Sequence, residues 1–205
     1  MAVTELETVN ACLAIMGETK LNTLAEDHAF KGNALDILKR NDRSIQGKGW
    51  WYNTENIKLV VNPVDHRVYL PEDALAVRPS IKDVRGRYMQ RGRVMYDLHS
   101  GTDLFDDTFT LQAELVRRVP LDDVPFSVQA YISRKTVLDF QQEFDGDQTK
   151  TRNLQIEIFG NAAANITGLR GMAEAEHIRS VAVNLIDNSE RLWRVRRVIS
   201  YPSRY

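Results

Sequence analysis

The sequence is poor in the residues from which a ready-made chemical site is built. It holds one cysteine, Cys12, in 205 residues, so no disulfide can form within the chain. Stability must come from a packed core, and a reducing compartment is expected. No apolar run nears the roughly 18 residues that a membrane span needs. The opening MAVTELETVN lacks the basic-then-apolar order of a secretory signal. These two absences predict a soluble protein made in the cytosol, with no membrane partner. An excess of either charge is also missing: 27 Lys and Arg face 28 Asp and Glu, for a net charge of −1. Such a chain has no overall attraction for nucleic acid or membranes, and any such contact must be local.

The motifs of chemistry are missing too. His28, His66, His99 and His177 have no second His, Cys or paired carboxylate at ligand spacing. H-E-x-x-H, C-x-x-C and G-x-S-x-G do not occur. GKGWW (47–51) follows a predicted helix instead of opening one, so its backbone N–H groups are not placed to cradle a phosphate. DGDQTK starts at Asp145 as a calcium loop does, but the twelfth position is Ile156, where a bidentate Glu is required. A helix–helix turn is the better reading. No metal, no cofactor and no enzyme are therefore expected. One chemical alternative stays open. Asp106-Asp107, Asp122-Asp123 and Asp145 with Asp147, beside Trp50 and Trp51, sketch the acid pair and stacking platform of a glycan hydrolase. Adjacent aspartates equally suit turns and helix N-termini.

What is present is periodicity. Thr4 and Glu7 form a capping box ahead of the stripe Leu6, Val9, Leu13 and Met16, which Gly17 ends. Cys12 lies beside this stripe and reads as a core thiol. A second helix is predicted over 27–46, with Phe30, Ala34, Ile37, Leu38 and Ile45 inward and Lys31, Lys39, Arg40, Asp42 and Arg43 outward. Gly47 is its expected C′ residue and Gly49 bars continuation. The period then shortens. IKLVV (57–61) and RVYLP (67–71) read as strands closed by prolines, 87–98 as a hairpin folded at Arg91-Gly92, and 107–120 as a half-buried strand. Helical spacing returns over 125–144, marked by Val128, Tyr131, Ile132 and Leu138. A fourth helix runs from Thr149 through Leu154, Ile158, Ala162, Ile166 and Leu169 to Gly168 or Gly171. The predicted fold is α+β: a bundle of about four helices with a small, mostly antiparallel β insert and an extended basic C-terminal arm. Residues 1–178 form one domain, with helices 1–50 and 125–171 packed together around the insert 55–120, and 179–205 form the arm.

Three groups of residues stand out. Residues 191–205 hold five arginines and no acid, interleaved with apolar and aromatic side chains. Arginine beside tryptophan and tyrosine is the composition of interface anchors. Arg191, Trp193, Arg194, Arg196, Arg197, Tyr201 and Tyr205 are therefore candidates for docking on another subunit. Arg85, Arg87, Arg91 and Arg93 cluster at the hairpin, either as a solvated, protective edge or as a face toward DNA or a neighbour. Trp50 and Tyr52 follow the glycine stop of a helix and precede the first strand, so they read as pegs of that joint. Alternation puts Trp51 on the opposite side, where it packs a second layer or meets another subunit.

The stretch GKGWWYNTE (47–55) is similar to the G-W-x-F-N-x-E signature of the tail tubular protein A family, the head-to-tail adaptor or gatekeeper proteins of T7-like short-tailed phages. The match is Gly49, Trp50, Tyr52, Asn53 and Glu55, with Tyr52 where phenylalanine is usual. VNACLAIMGE (9–18), YLP (69–71), RGRVMYD (91–97) and VPFSVQAYISRKTVLDF (124–140) follow in family order, and the resemblance spans roughly 5–170. It implies a structural virion protein at the head–tail junction. Its expected partners are further copies of itself in a dodecameric ring, the portal protein, a nozzle resembling tail tubular protein B, tail fibres, and double-stranded DNA passing through the lumen during ejection. Some members have been suggested to act on host polysaccharide, which keeps the glycan-hydrolase alternative in view.

Overall fold

A computed structural model describes residues 3–79 and 86–187, with side-chain surroundings up to residue 181. Arg85 and the arm residues Arg191, Trp193, Arg194, Arg196, Arg197, Tyr201 and Tyr205 lie outside the described residues.

The helical part follows from its capping and periodicity. Helix α1 (Glu5–Ile15) opens on the predicted capping box: the Glu7 N–H donates to Thr4 Oγ1, and the Thr4 N–H donates to the Glu7 carboxylate. Val9, Cys12 and Leu13 are fully buried, and Gly17 leaves the helix at φ +79°. Helix α2 (Lys31–Gln46) starts later than the spacing predicts, because residues 23–31 close turns of their own and Phe30 offers no side-chain cap. Helix α3 (Phe126–Phe144) follows Pro125, and helices α4 (Gln148–Phe159) and α5 (Leu169–Asp187) complete the set. α3 is the central helix and packs against α1, α2, α4 and α5. Asp147 caps α4 by accepting from the Thr149 and Lys150 N–H groups, so DGD is a helix–helix turn.

Among the described residues there are thus five α-helices where the sequence suggests about four. The predicted continuous fourth helix breaks at Gly160, whose φ of +82° with ψ −177° is open to glycine and to little else. The break is sealed by a backbone-to-backbone approach: a Cβ on Gly160 would lie 2.3 Å from the Ile166 oxygen, and one on Gly168 would lie 2.3 Å from the Gly160 nitrogen. Ile166, expected on a buried helical stripe, is instead 50% exposed.

The β part is antiparallel. Strands β1 (Thr54–Val60), β2 (Ala74–Pro79) and β5 (Thr110–Arg117) form one sheet in the order β1-β5-β2, and β3 (Tyr88–Arg91) with β4 (Val94–Asp97) forms the predicted hairpin. Gly92, at φ +60°, turns that hairpin. Residues 67–71 do not form a full strand. They meet β4 through a single bridge, Tyr69 to Val94, flanked by bonds from Leu70 to Arg93 and from Met95 to Val68. β2 escapes prediction because ALAVRP neither alternates nor is rich in β-branched residues. A bulge between Ala74 and Ala76 fits it to β5.

Two clusters of buried apolar side chains result. The larger joins α1–α5 with Trp50, and the smaller gathers Leu59, Val68, Leu70, Met95, Leu111 and Ala113 in the β part. Cys12 belongs to the larger, where burial pushes its thiol up to about 12. The native protein is expected to leave a thiol reagent unconsumed at pH 8 and to consume one equivalent after denaturation. Rapid native labelling would place Cys12 at the surface instead.

Candidate functional site

The chain crosses from helices to sheet at residues 46–54 and returns at 117–121. Both crossings pass through partly buried surroundings, with Gln46, Trp50, Asn53 and Leu121 buried, and a buried backbone N–H or C=O needs a partner. At the outward crossing α2 ends in a tight turn: Gly47 keeps helical angles and Gly49 makes the reversal at φ +80°. The left-handed glycine is therefore Gly49, not Gly47. A side chain on Gly49 would be strained at this φ and tightly placed, with its Cβ 3.2–3.4 Å from Val116 Cγ2, Thr54 Oγ1 and Arg78 Nη1.

Asn53, 2% exposed, ties this crossing together. Its Oδ1 accepts from the Trp50 N–H at 2.8 Å, and its Nδ2 donates to the Gln46 carbonyl at 3.1 Å and the Arg117 carbonyl at 2.8 Å. Its own carbonyl accepts from the Arg117 N–H at 2.8 Å. One side chain thereby holds the end of α2, the tryptophan turn and the end of β5. Trp50 is 4% exposed, and its indole N–H donates to the Ile45 carbonyl at 2.7 Å. Tyr52 is half-buried against the helical cluster, with its hydroxyl buried and unpartnered. Burial, with the Asp42 charge adding to it, raises the Tyr52 phenol above its ordinary value. Trp51 is half-buried too. Its N–H donates to His177 Nδ1 at 3.2 Å and its ring lies 6.0 Å from the His177 ring, so it packs on α5 of its own chain.

The return crossing has its own tie. Gln46, fully buried, donates to the Val119 carbonyl at 2.8 Å and accepts from the Val119 N–H at 2.9 Å. Asp42 accepts from Gln46 at 2.6 Å and from Arg118 at 3.0 Å. Asp42 is 3% exposed, which corrects its placement on the outer face of α2. Its position four residues after Leu38 and three before Ile45 is a readable sign, because a charge on an apolar stripe implies a buried partner. Glu55 and Asp73 grip Arg117 from β1 and from the turn before β2, at 2.9 and 2.8 Å. Sequence reasoning assigns no role to Gln46 or His177, and matches Asn53 and Glu55 by motif alone.

The described hairpin arginines are each matched. Arg87 pairs with Asp97 at 2.8 Å, Arg93 with Glu72 at 2.9 Å, and the Arg91 guanidinium lies 3.5 Å from the centre of the Tyr96 ring. Asp97, 5% exposed, also accepts from the His99 N–H and the Ser100 hydroxyl. The Arg87 guanidinium, aided by these donors, holds the Asp97 carboxyl far below the usual carboxylate range.

Three of the six aspartates have structural partners. Asp107 meets His66, Asp145 meets Lys150, and Asp147 caps α4. Asp122 and Asp123 are both exposed, so neither is desolvated as a general acid is. Asp122 edges a cleft of about 640 Å³ whose Glu72, Asp73 and Arg118 are already paired with Arg93, Arg117 and Asp42. The glycan-hydrolase alternative gains no support from these placements. Among the described residues no group of His, Cys, Asp and Glu is arranged to hold a metal ion, and no helix is long and apolar enough to cross a membrane.

Comparison with known proteins places this geometry. A family model described as Tube, tail tubular protein, matches residues 6–163. Tail tubular protein A of Klebsiella phage KP34 is 24% identical over 178 residues, which is 86% of this chain and 88% of that one.

Asn53→Ala is expected to lower stability by about 3 kcal/mol, because it orphans several buried backbone groups at once. Trp51→Ala should cost the isolated chain less. Thermal unfolding of both variants checks the order, and equal losses would mean that Asn53 is not the tie. The depressed Asp97 carboxyl gives stability that is present above its unfolded pKa, about 4, and is lost as pH falls through the folded value. Melting temperature should therefore fall below about pH 4 in the native chain. The fall should be shallower in Asp97→Asn, which starts lower at neutral pH. Parallel curves for the two proteins would remove Asp97 as the acid-sensitive group.

Proposed function

This chain belongs to the tail tubular protein family, and from that premise we propose that it is the head-to-tail adaptor of a short-tailed phage, a ring of identical chains joining the portal to the tail nozzle around the DNA channel. As a member of the family it is a structural component of a virion tail, working in assembly with other tail proteins.

One observation carries the finer reading. Exposed large apolar side chains occur on both parts of the molecule: Val64, Tyr69 and Leu104 in the β part, and Phe126, Met172 and Ile178 on the helices, each 44% exposed or more. A head-to-tail ring needs two different faces per chain, and large exposed apolar side chains are the material of such faces. The joint supports the same reading. Its paired polar groups fix the β part to the helices, as suits a part that transmits position between two neighbours. The matched arginines of the hairpin suit a lumen edge or a neighbour-facing edge, since a channel that gripped phosphate tightly would hinder sliding. Trp51 and the arginine-rich arm are the remaining docking candidates.

Purified protein, alone or with portal protein, is expected to give closed rings in electron micrographs and a mass that is a fixed multiple of the chain. A monomer that stays single in the presence of portal protein would count decisively against the adaptor reading.

A further inference from the structure

We propose that the outward face of α5 is the seat for residues 188–205 of a second copy of this chain, a reading that rests on the ring assembly above. A surface helix ordinarily has one apolar side. α5 has two. Inward lie Ala173, fully buried, and Leu169 and His177, both partly buried. Outward lie Met172, 56% exposed, and Ile178, 65% exposed, with Gly171 and Ala175 between them. Positions 171, 175 and 178 are spaced four then three, the spacing of a seam that receives another apolar segment. Gly171 and Ala175, both small and partly buried, form its floor, with Thr167 Cγ2 3.0 Å from where a Gly171 Cβ would lie. Glu176 stands on one rim as a carboxylate partner for arginines, and Glu174 on the other is shared with Arg170 at 2.8 Å, with Arg179 the cation on the outward side.

The composition of the chain beyond α5 indicates the occupant. Residues 191–205 carry Leu192, Trp193, Val195, Val198, Ile199 and Tyr201 among five arginines, with no acid. These apolar side chains need a surface and the arginines need carboxylates. Eighteen residues reach up to roughly 60 Å when extended, about twice the ~28 Å length of α5. That reach is enough for the segment to lie across a neighbouring copy. An arm on one chain and a seat on the next are also the two unlike faces that a ring closes with.

Cysteine pairing tests this on the full chain, because the native thiol, Cys12, is buried. Ile178→Cys protein is mixed with Trp193→Cys, Val195→Cys or Val198→Cys protein and mildly oxidised, since a disulfide forms only where Cα atoms come within about 7 Å. The mixture is expected to convert from single chains to a reducible dimer band, with loss of the band when Val64→Cys replaces Ile178→Cys. Rings of correct mass that give no mixed disulfide overturn the seat and leave the ring reading standing. A double variant that links only within its own chain also overturns it. Protein that never assembles, alone or with portal protein, defeats the ring reading itself. Ile178→Asp should abolish assembly with the melting temperature unchanged, and a matching drop in melting would show that Ile178 packs within its own chain.

Discussion

The fold depends on carrying the backbone twice across a partly buried boundary with its buried backbone groups paired. A buried N–H or C=O without a partner costs about 1–3 kcal/mol, and each crossing contains several. Helices and strands satisfy their own backbone, but the segments between them do not. This chain meets the requirement with two amides from neighbouring stretches. Asn53 serves the outward crossing, and Gln46, steadied by Asp42, serves the return. An amide side chain is suited to this because it both donates and accepts. The two ties share the last turn of α2: Gln46 gives its carbonyl to one and its side chain to the other. The orientation of the β part relative to the helices is therefore fixed at one place.

From that tie the rest of the β part can be read outward. β5 is held at its end by Asn53 and Arg117, and β1 and β2 are added to its two edges. Glu55 and Asp73, one from each flank, grip Arg117. Exposed ion pairs of this kind contribute at most about 1 kcal/mol each, so their larger effect is to set register and direction. The hairpin is a separate two-stranded sheet and is stabilised by Asp97, which gathers Arg87, His99 and Ser100 around one buried carboxylate. A part built this way resists bending at the junction while its outer surfaces remain free for neighbours, consistent with a structural tail protein whose work is contact.

How much of this the sequence disclosed depended on the range of the interaction. α1, α3 and the hairpin were legible because their signals are local: a capping box, a proline at a helix start, a glycine between alternating residues. The fourth helix was overextended because helical spacing persisted past Gly160, and only the backbone approach of residues 166–168 shows why the helix cannot continue. β2 was missed because Ala74–Pro79 gains its place from β5, not from its own pattern. At the joint, Gly49 and Trp50 could be read from glycine and aromatic content. The partners of Asn53 could not, since Arg117 lies 64 residues away. Asp42 was the readable exception, a charge on an apolar stripe assigned to solvent when burial with a partner was the sounder inference.

The three aromatics after Gly49 show what the signature requires. A platform for a sugar or a base leaves ring faces open. Here Trp50 is buried, Trp51 packs among Trp50, Tyr52 and His177, and Tyr52 rests on the helical cluster. Tyr52 is the informative one. Its hydroxyl is buried without a partner, near the buried Asp42 carboxylate, and such a hydroxyl is a burden that a phenylalanine would not carry. Phenylalanine is the residue that the signature usually has at that position. The common element is thus the ring and its packing, while the hydroxyl adds nothing that the joint uses. A site selected for ligand contact would keep its polar group pointed at the ligand. A site built for packing needs only the ring, and here the ring rests on the helical cluster while the hydroxyl has no partner.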